Sequence, residues 1–291
     1  MGYNSLEIGK KALIAQRLGL DVTSNNIANV NTPGFSRRDA VMSESGPHLN
    51  SGNFVGTGAM VEKMRTFREE FFDREVRTSI STKTTYETDE QILQRIQAVL
   101  SEPSENGIGE MLGEFFNMME ELSLKPESIG IRESVLNQGQ TIVDRFHSVA
   151  GQLSDAREEV KNSAQQNVKE INGLLRDIAK LNEAVLKSKG KAGNSAQTYV
   201  DQREKKLEDL SEMLKITVTS NNDGSLNVFT SGINLVTGPV ANTLELTENM
   251  NSATGEVRIA LTKIDSNGNA IASFTPKEAE MGSLFKHFNV T

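Results

Sequence analysis

Leu6, Leu13, Leu20 and Ile27 fall at a constant spacing of seven near the amino terminus. Sustained sevenfold spacing of apolar residues is the pattern of a helix that packs along another helix in a supercoil. Beside that row runs a second stripe of mostly small residues: Ile8, Ala12, Ala15, Gly19 and Val22. Small side chains permit close approach on a second side. A helix with two contact faces and no globular body of its own needs partners, so the spacing predicts an assembly helix over Leu6–Ile27 that is poorly ordered alone.

The following run, Thr23-Ser24-Asn25-Asn26-Ile27-Ala28-Asn29-Val30-Asn31-Thr32-Pro33-Gly34-Phe35-Ser36-Arg37-Arg38, is rich in residues that bond to nearby backbone. Pro33 fixes φ and Gly34 permits a positive φ, which predicts a helix end near Ala28–Val30 and a sharp turn at Pro33-Gly34. Ser43–Val61 carries Gly46, Pro47, Gly52, Gly56 and Gly58 among short apolar pieces and reads as loop and short strand.

From Thr66 to Leu214 the pattern is helical. Phe67, Phe71, Ile92, Ile96 and Leu100 fit one long helix, with a polar stretch at Ser79–Glu90 and a break at Glu102-Pro103-Ser104. Ile108, Met111, Leu112, Phe115, Phe116, Met119 and Leu122 describe a shorter apolar helix that stops at Lys125-Pro126. Its methionines, Met111, Met118 and Met119, read as core packing. A very long helix then spans Glu127–Leu186, followed by a turn at Lys189-Gly190-Lys191-Ala192-Gly193-Asn194 and a return helix marked by Tyr199, Arg203, Leu207, Leu210 and Leu214. Only 36% of the 291 residues are hydrophobic, 5% are aromatic and there is no Trp, a composition suited to elongated helices with narrow apolar seams.

After Lys215 the period changes to two. Ile216 and Val218 alternate toward Asn221-Asn222-Asp223-Gly224, and Leu226 and Val228 alternate away from it, a hairpin signal. Asn234–Val236, Thr243–Thr247, Glu256–Lys263 and Ala270–Phe274 are further strand-like pieces, with a second turn at Ser266-Asn267-Gly268. The predicted fold is therefore mainly α with a small β domain: a long antiparallel helical bundle or coiled coil preceded by an amino-terminal assembly helix. The expected divisions are residues 1–62 as axial assembly segment, 63–215 as helical bundle, 216–280 as β domain and 281–291 as the start of a return to the helices.

Chemistry-bearing patterns are sparse. A net charge of −8 with no strong basic stripe argues against nucleic acid. Without Cys there are no disulfides, thiolate nucleophiles or Cys-based zinc sites. His48, His147 and His287 are scattered, and His147 has only Asp144 as an ordinary helical neighbour. Gly52, Gly56 and Gly58 do not join a strand to a helix as a phosphate loop requires. Asp265, Asn267 and Asn269 have their glycine in the wrong place for a calcium loop, and no Glu follows at the required distance. The expectation is a non-enzymatic protein with no catalytic residues, cofactor or metal. No cationic, apolar and small-residue sequence of a cleavable signal peptide opens the chain, and no apolar run reaches the roughly 20 residues of a membrane span.

The run Ser24–Arg37, standing directly after a heptad helix, resembles the rod-type amino-terminal motif of flagellar axial proteins, a family that includes rod proteins, hook proteins and the first hook-associated protein. Rod and hook proteins are expected to turn to β structure after this motif, whereas here long helices follow. Tyr199-Val200-Asp201-Gln202-Arg203 with Leu207 is similar to the return helix of the hook-associated protein 1 family. Leu235-Val236-Thr237-Gly238, and Ser36-Arg37 in place of an expected lysine, also resemble that branch.

The resemblance implies a structural subunit of the hook–filament junction, exported without a cleavable signal through the flagellar type III apparatus and located on the extracellular flagellum. It implies an assembly interface at Leu6, Leu13, Leu20 and Ile27 together with Asn26, Asn29, Pro33, Gly34 and Phe35. Its implied partners are further copies of itself in a ring, the hook protein, the third hook-associated protein and an export chaperone; neither nucleic acid nor membrane is among them. Family members close with a carboxy-terminal helix that pairs with the amino-terminal one. Here Gly282-Ser283-Leu284 begins a return to the helices within Met281–Thr291, so the expected chain lacks its carboxy-terminal part, through which the chaperone would bind. The alternatives are another axial protein of rod or hook type, a helical adaptor that makes no filament, and a secreted hydrolase or adhesin acting through the β region.

Overall fold

A computed structural model describes the chain except for residues 1, 33, 47, 51–52, 56, 101–106, 189–194, 251, 253–255, 265–267 and 291. The expected features at Pro33, Gly52, Gly56, Glu102-Pro103-Ser104, the turn 189–194 and Asp265-Ser266-Asn267 lie outside the described residues.

Helix α1 covers Gly2–Ala28 and is followed by an antiparallel ribbon of β1 (Arg38–Glu44) and β4 (Ala59–Thr66), between which β2 (His48–Asn50) and β3 (Asn53–Val55) pair with each other. Helix α2 spans Glu70–Leu100 and α3 spans Ile108–Leu124. The 60-residue α4 runs from Ile129 to Ser188, and α5 returns over Ser195–Met213. At 1.5 Å per residue α4 is about 90 Å long, the longest axis of the helical body.

The helix order follows from paired contacts. Gln138 of α4 donates to the Met111 carbonyl of α3, Arg95 of α2 pairs with Glu159 of α4, and Arg203 of α5 donates to Asn182 near the end of α4. Thus α4 passes α3 first, then α2, then α5, antiparallel to all three. Its burial changes along the way. In the first half only Val135, Ile142 and Val149, one position in seven, are buried. In the second half Ala164, Val168, Ile171, Leu174, Leu175 and Ile178 form a wide buried stripe at spacings of three and four.

The strands form two antiparallel meanders. β5 (Thr217–Ser220), β6 (Leu226–Thr230), β7 (Ile233–Thr237) and β8 (Val240–Ala241) make one sheet. β9 (Thr243–Met250), β10 (Val257–Ile264) and β11 (Ala270–Phe274) make the other. Gly224 closes the β5–β6 hairpin at φ +86°, the left-handed conformation such turns demand. Buried residues of these sheets, including Val228, Leu235, Leu244 and Leu261, share one hydrophobic core with α4, α5 and the final helix α6 (Ala279–Val290). Each fully buried Leu or Ile there contributes about 1.5–3 kcal/mol.

Two sequence expectations are corrected. The helix predicted from Thr66 begins at Glu70. Thr66 still pairs with Arg38 in the ribbon, the Phe67 amide donates to the Arg37 carbonyl at 3.0 Å, and Arg37 and Arg65 stack over the Phe67 ring, which holds the segment extended. The α3 methionines are not core, for no residue of α3 is buried and Met119 is 44% exposed. The reason is that α3 packs chiefly on the thin seam of α4.

Candidate assembly interface

Helix α1 divides its two stripes between its own chain and solvent. Ala15 and Val22 are buried, packed toward the β1–β4 ribbon. The approach is close: a Cβ placed on Gly19 would stand 3.1 Å from the Met42 Cε, and one on Gly58 3.3 Å from the Ile8 carbonyl. Gly19 on the helix and Gly58 beside β4 are what admit this approach. This corrects the expectation of a helix with no body of its own, since the ribbon supplies an intrachain dock. The heptad row stays outside: Leu6, Leu13, Leu20 and Ile27 are 76, 73, 68 and 69% exposed.

The remaining motif residues build the exit from α1. Asn29 donates to the Asn25 carbonyl at 3.0 Å and accepts from the Thr32 hydroxyl at 3.2 Å. The Phe35 amide bonds the Thr32 carbonyl at 3.1 Å, and Gly34 between them has φ +77°, in the left-handed region that favours glycine. That turn rests against α5, where a Cβ on Gly34 would meet the Lys205 Cβ at 3.0 Å. Asn26 reads the backbone of Arg38 from both sides, its Oδ1 accepting from the amide at 3.0 Å and its Nδ2 donating to the carbonyl at 2.7 Å. Phe35 lies 5.3 Å from the Arg38 guanidinium, a cation–π distance.

Arg38 leads into a buried ionic network. Its guanidinium meets the Asp201 carboxylate at 2.6 Å, with side chains only 4 and 8% exposed. Arg68 pairs with Asp73 at 2.8 Å, donates to the Ser36 hydroxyl at 3.0 Å and stands 3.7 Å from Asp201. Arg77 holds Glu204 at 3.0 Å. Arg203 donates to Asn182 at 2.8 Å and to the Gly224 carbonyl at 2.9 Å, and Asn182 itself bonds Leu226 and Gly238. Burial pushes the Glu204 carboxyl above its ordinary value against the opposing pull of Arg68, Arg77 and Arg203; burial likewise lowers Arg203. One network therefore links the α1 exit, the start of α2, the α5 return helix and the β5–β6 hairpin.

Of the sequence-predicted interface residues, the structure places Leu6, Leu13, Leu20 and Ile27 together on one open face. Asn26, Asn29, Gly34 and Phe35 contact their own chain at the helix exit. Sequence reading missed Arg38, Arg68, Asp73, Arg77, Asn182 and Glu204 as a set. The Asp201-Gln202-Arg203 run was visible as a marker, but nothing local to it shows that its partners lie near residues 38, 68 and 182. Among the described residues, no three His, Asp or Glu side chains are grouped to hold a metal ion, and no helix is long and apolar enough to cross a membrane.

Residues 93–290 match the family described as flagellar hook-associated protein FlgK helical domain, and residues 6–35 match the flagella basal body rod protein family. The chain is 27% identical to flagellar hook-associated protein 1 of Bacillus subtilis over 229 residues, which is 76% of this chain and 45% of that protein. Against the Escherichia coli protein of the same name it is 24% identical over 234 residues, 80% of this chain and 43% of the other. It thus spans less than half the length of these relatives. The fold is shared with the flagellar hook junction protein FlgK from Burkholderia pseudomallei, with a TM-score of 0.64 at 19% identity over 74% of this chain and 38% of that one. With the matched region covering well over half of its residues, the chain belongs to the flagellar hook-associated protein FlgK helical-domain family.

Proposed function

We propose that this chain is a structural subunit of the hook–filament junction of the bacterial flagellum and performs no catalysis. The observation that carries the reading is the open heptad row of α1. Four large apolar residues on one face, each at least two-thirds exposed, are a liability for an isolated molecule and an asset for one that packs beside other helices. The ribbon and the ionic network hold that helix at a fixed direction from the body, as a repeating subunit of a tube requires. In this reading Leu6–Ile27 lies in the inner tube wall, Thr66–Leu214 forms the next layer, and Ile216–Phe274 faces outward. Further copies make a ring, with the hook protein on one side and the third hook-associated protein on the other. An export chaperone escorts the subunit through the flagellar type III channel.

Deleting the gene tests the assignment. The expected strain makes hooks without filaments and releases monomeric flagellin into the medium. Normal filaments in that strain would overturn the reading.

A further inference from the structure

The unit made of α1 and its ribbon joins the helical body through a narrow neck. The chain crosses the neck outward through Ser36 and Arg37 and returns through Phe67 and Arg68. The two crossings are bonded to each other, the Phe67 amide donating to the Arg37 carbonyl. Within the unit, Ala15 and Val22 are buried toward the ribbon and Asn26 grips the Arg38 backbone from both sides, which makes it one piece. Against the body it rests on Gly34, which abuts Lys205, and on the Arg38–Asp201 pair. Clefts undercut the neck on two sides. One, of 740 Å³, separates Asn25, Asn29 and Phe35 of the unit from Asp177 and Leu181 of the body, with Arg38 and Asp201 in its walls. The other, of 700 Å³, separates Arg65 and Phe67 from Glu69, Phe72 and Glu208.

Asp201 has a second claimant. Its Oδ2 holds Arg38 at 2.6 Å, while its buried Oδ1 carries no hydrogen bond and faces Arg68 Nη1 at 3.7 Å. That Nη1 donates instead to the Ser36 hydroxyl at 3.0 Å, on the same crossing as Arg38. Moving this crossing away from α5 breaks both bonds together and frees Nη1 to close on Oδ1. We propose that the α1–ribbon unit rocks on its neck between two positions, with Asp201 passing from Arg38 to Arg68. The structure holds the first. In the second, the 740 Å³ cleft is wider, Arg38 reaches water and the 700 Å³ cleft is shut. Asp201 faces a guanidinium in both positions, so neither strands a buried carboxylate. Shutting the second cleft packs Phe67 against Phe72, 52 and 61% exposed in the first position, and the apolar area removed from water offsets the lost Arg38 bond. Each position fixes one direction for α1, and discrete ionic partners make these two directions rather than a continuum. The hinge needs no second chain and is independent of the junction reading.

With no Cys in the chain, paired spin labels go only where they are placed. Arg17→Cys on α1 with Glu170→Cys on α4 spans the neck, and Arg17→Cys with Lys63→Cys on β4 stays within the unit; all three positions are exposed. Distances are read by double electron–electron resonance in the full chain. The neck-spanning pair is expected to give two distance peaks and the pair within the unit one. Arg38→Gln should make the second neck-spanning peak the larger. Phe72→Ser, at an exposed position where substitution leaves the fold intact, should lower that peak by about fivefold or more. A single neck-spanning peak, unmoved in wild type and both variants, would overturn the hinge. A peak within the unit that splits in Arg38→Gln would overturn it too, since α1 would then be leaving its ribbon. Neither result touches the junction reading, which the gene deletion tests.

Discussion

Arg38 and Asp201, 163 residues apart in the chain, face each other at 2.6 Å with both side chains buried. The pair ties the first residue of the ribbon to the return helix. A buried ion pair adds little net stability over an apolar pair of the same shape, but removing one member strands the other charge. Asp201→Ala should therefore cost about 3–5 kcal/mol in urea unfolding. Arg38→Ala should cost less, because Arg68 at 3.7 Å still faces the carboxylate. The double change Arg38→Met with Asp201→Leu should recover most of the loss. Equal costs for both single changes would mean that Arg68 takes no part.

The two faces of α1 should respond oppositely in the isolated chain. Leu13 is 73% exposed, so Leu13→Asp should change stability by no more than about 0.5 kcal/mol and leave amide exchange along α1 as it was. Val22 is 4% exposed against the ribbon, and Val22→Asp places a carboxylate where water cannot reach it. Exchange along α1 should then rise about tenfold or more, as the helix leaves its dock. If both variants exchange alike, the ribbon does not hold the helix.

Much of this arrangement was legible in the sequence, and the illegible remainder has a common physical cause. The heptad row, the Gly34 turn, the Asn221–Gly224 hairpin and the long α4 all follow from spacing or from local backbone demands, which a linear sequence displays. The partner of the small stripe was hidden, because Ala15 and Gly19 show only that something comes close, not that β1 and β4 do. The ionic network was hidden for the same reason: Arg38, Arg68, Arg77 and Glu204 look like any solvated charges until the fold places them together. Met119 misled in the other direction. An apolar helix face says that burial is favourable, and α3 leaves part of that face open.

The β6–β7 turn offers a stabilising change. Thr230 pairs with Ile233, and between them Ser231 has φ +47° and Gly232 φ +80°, the two positive values of a type I′ turn. Serine tolerates the left-handed region less well than asparagine, whose side chain can bond locally there. Ser231 is exposed, so no packing opposes the exchange. Ser231→Asn should stabilise the chain by about 0.5–1 kcal/mol, seen as a rise in Tm of about 2 °C. An unchanged or lower Tm would mean that the serine is not strained.

Asp89 on α2 anchors α6. Its carboxylate accepts from Lys286 at 2.8 Å and bonds the His287 ring at 2.9 Å, one turn from where Thr85 receives the Ala279 amide and the Ser283 hydroxyl. Burial pushes the Asp89 carboxyl up, but the hydrogen bonds from Lys286 and His287, with the Lys286 charge, outweigh it and hold the group below its ordinary value of 3.8. A carboxyl lowered on folding binds fewer protons folded than unfolded. Its stabilisation is therefore complete above the unfolded value and is lost as pH falls through the lower, folded one. Asp89→Asn should cost about 2 kcal/mol near pH 7, where the ionised carboxylate serves two donors from α6. The gap between wild type and variant should hold down to about pH 5 and close below pH 4, measured by urea unfolding at each pH. A gap that persists unchanged into strong acid would show that the charge of Asp89 is not what secures the helix.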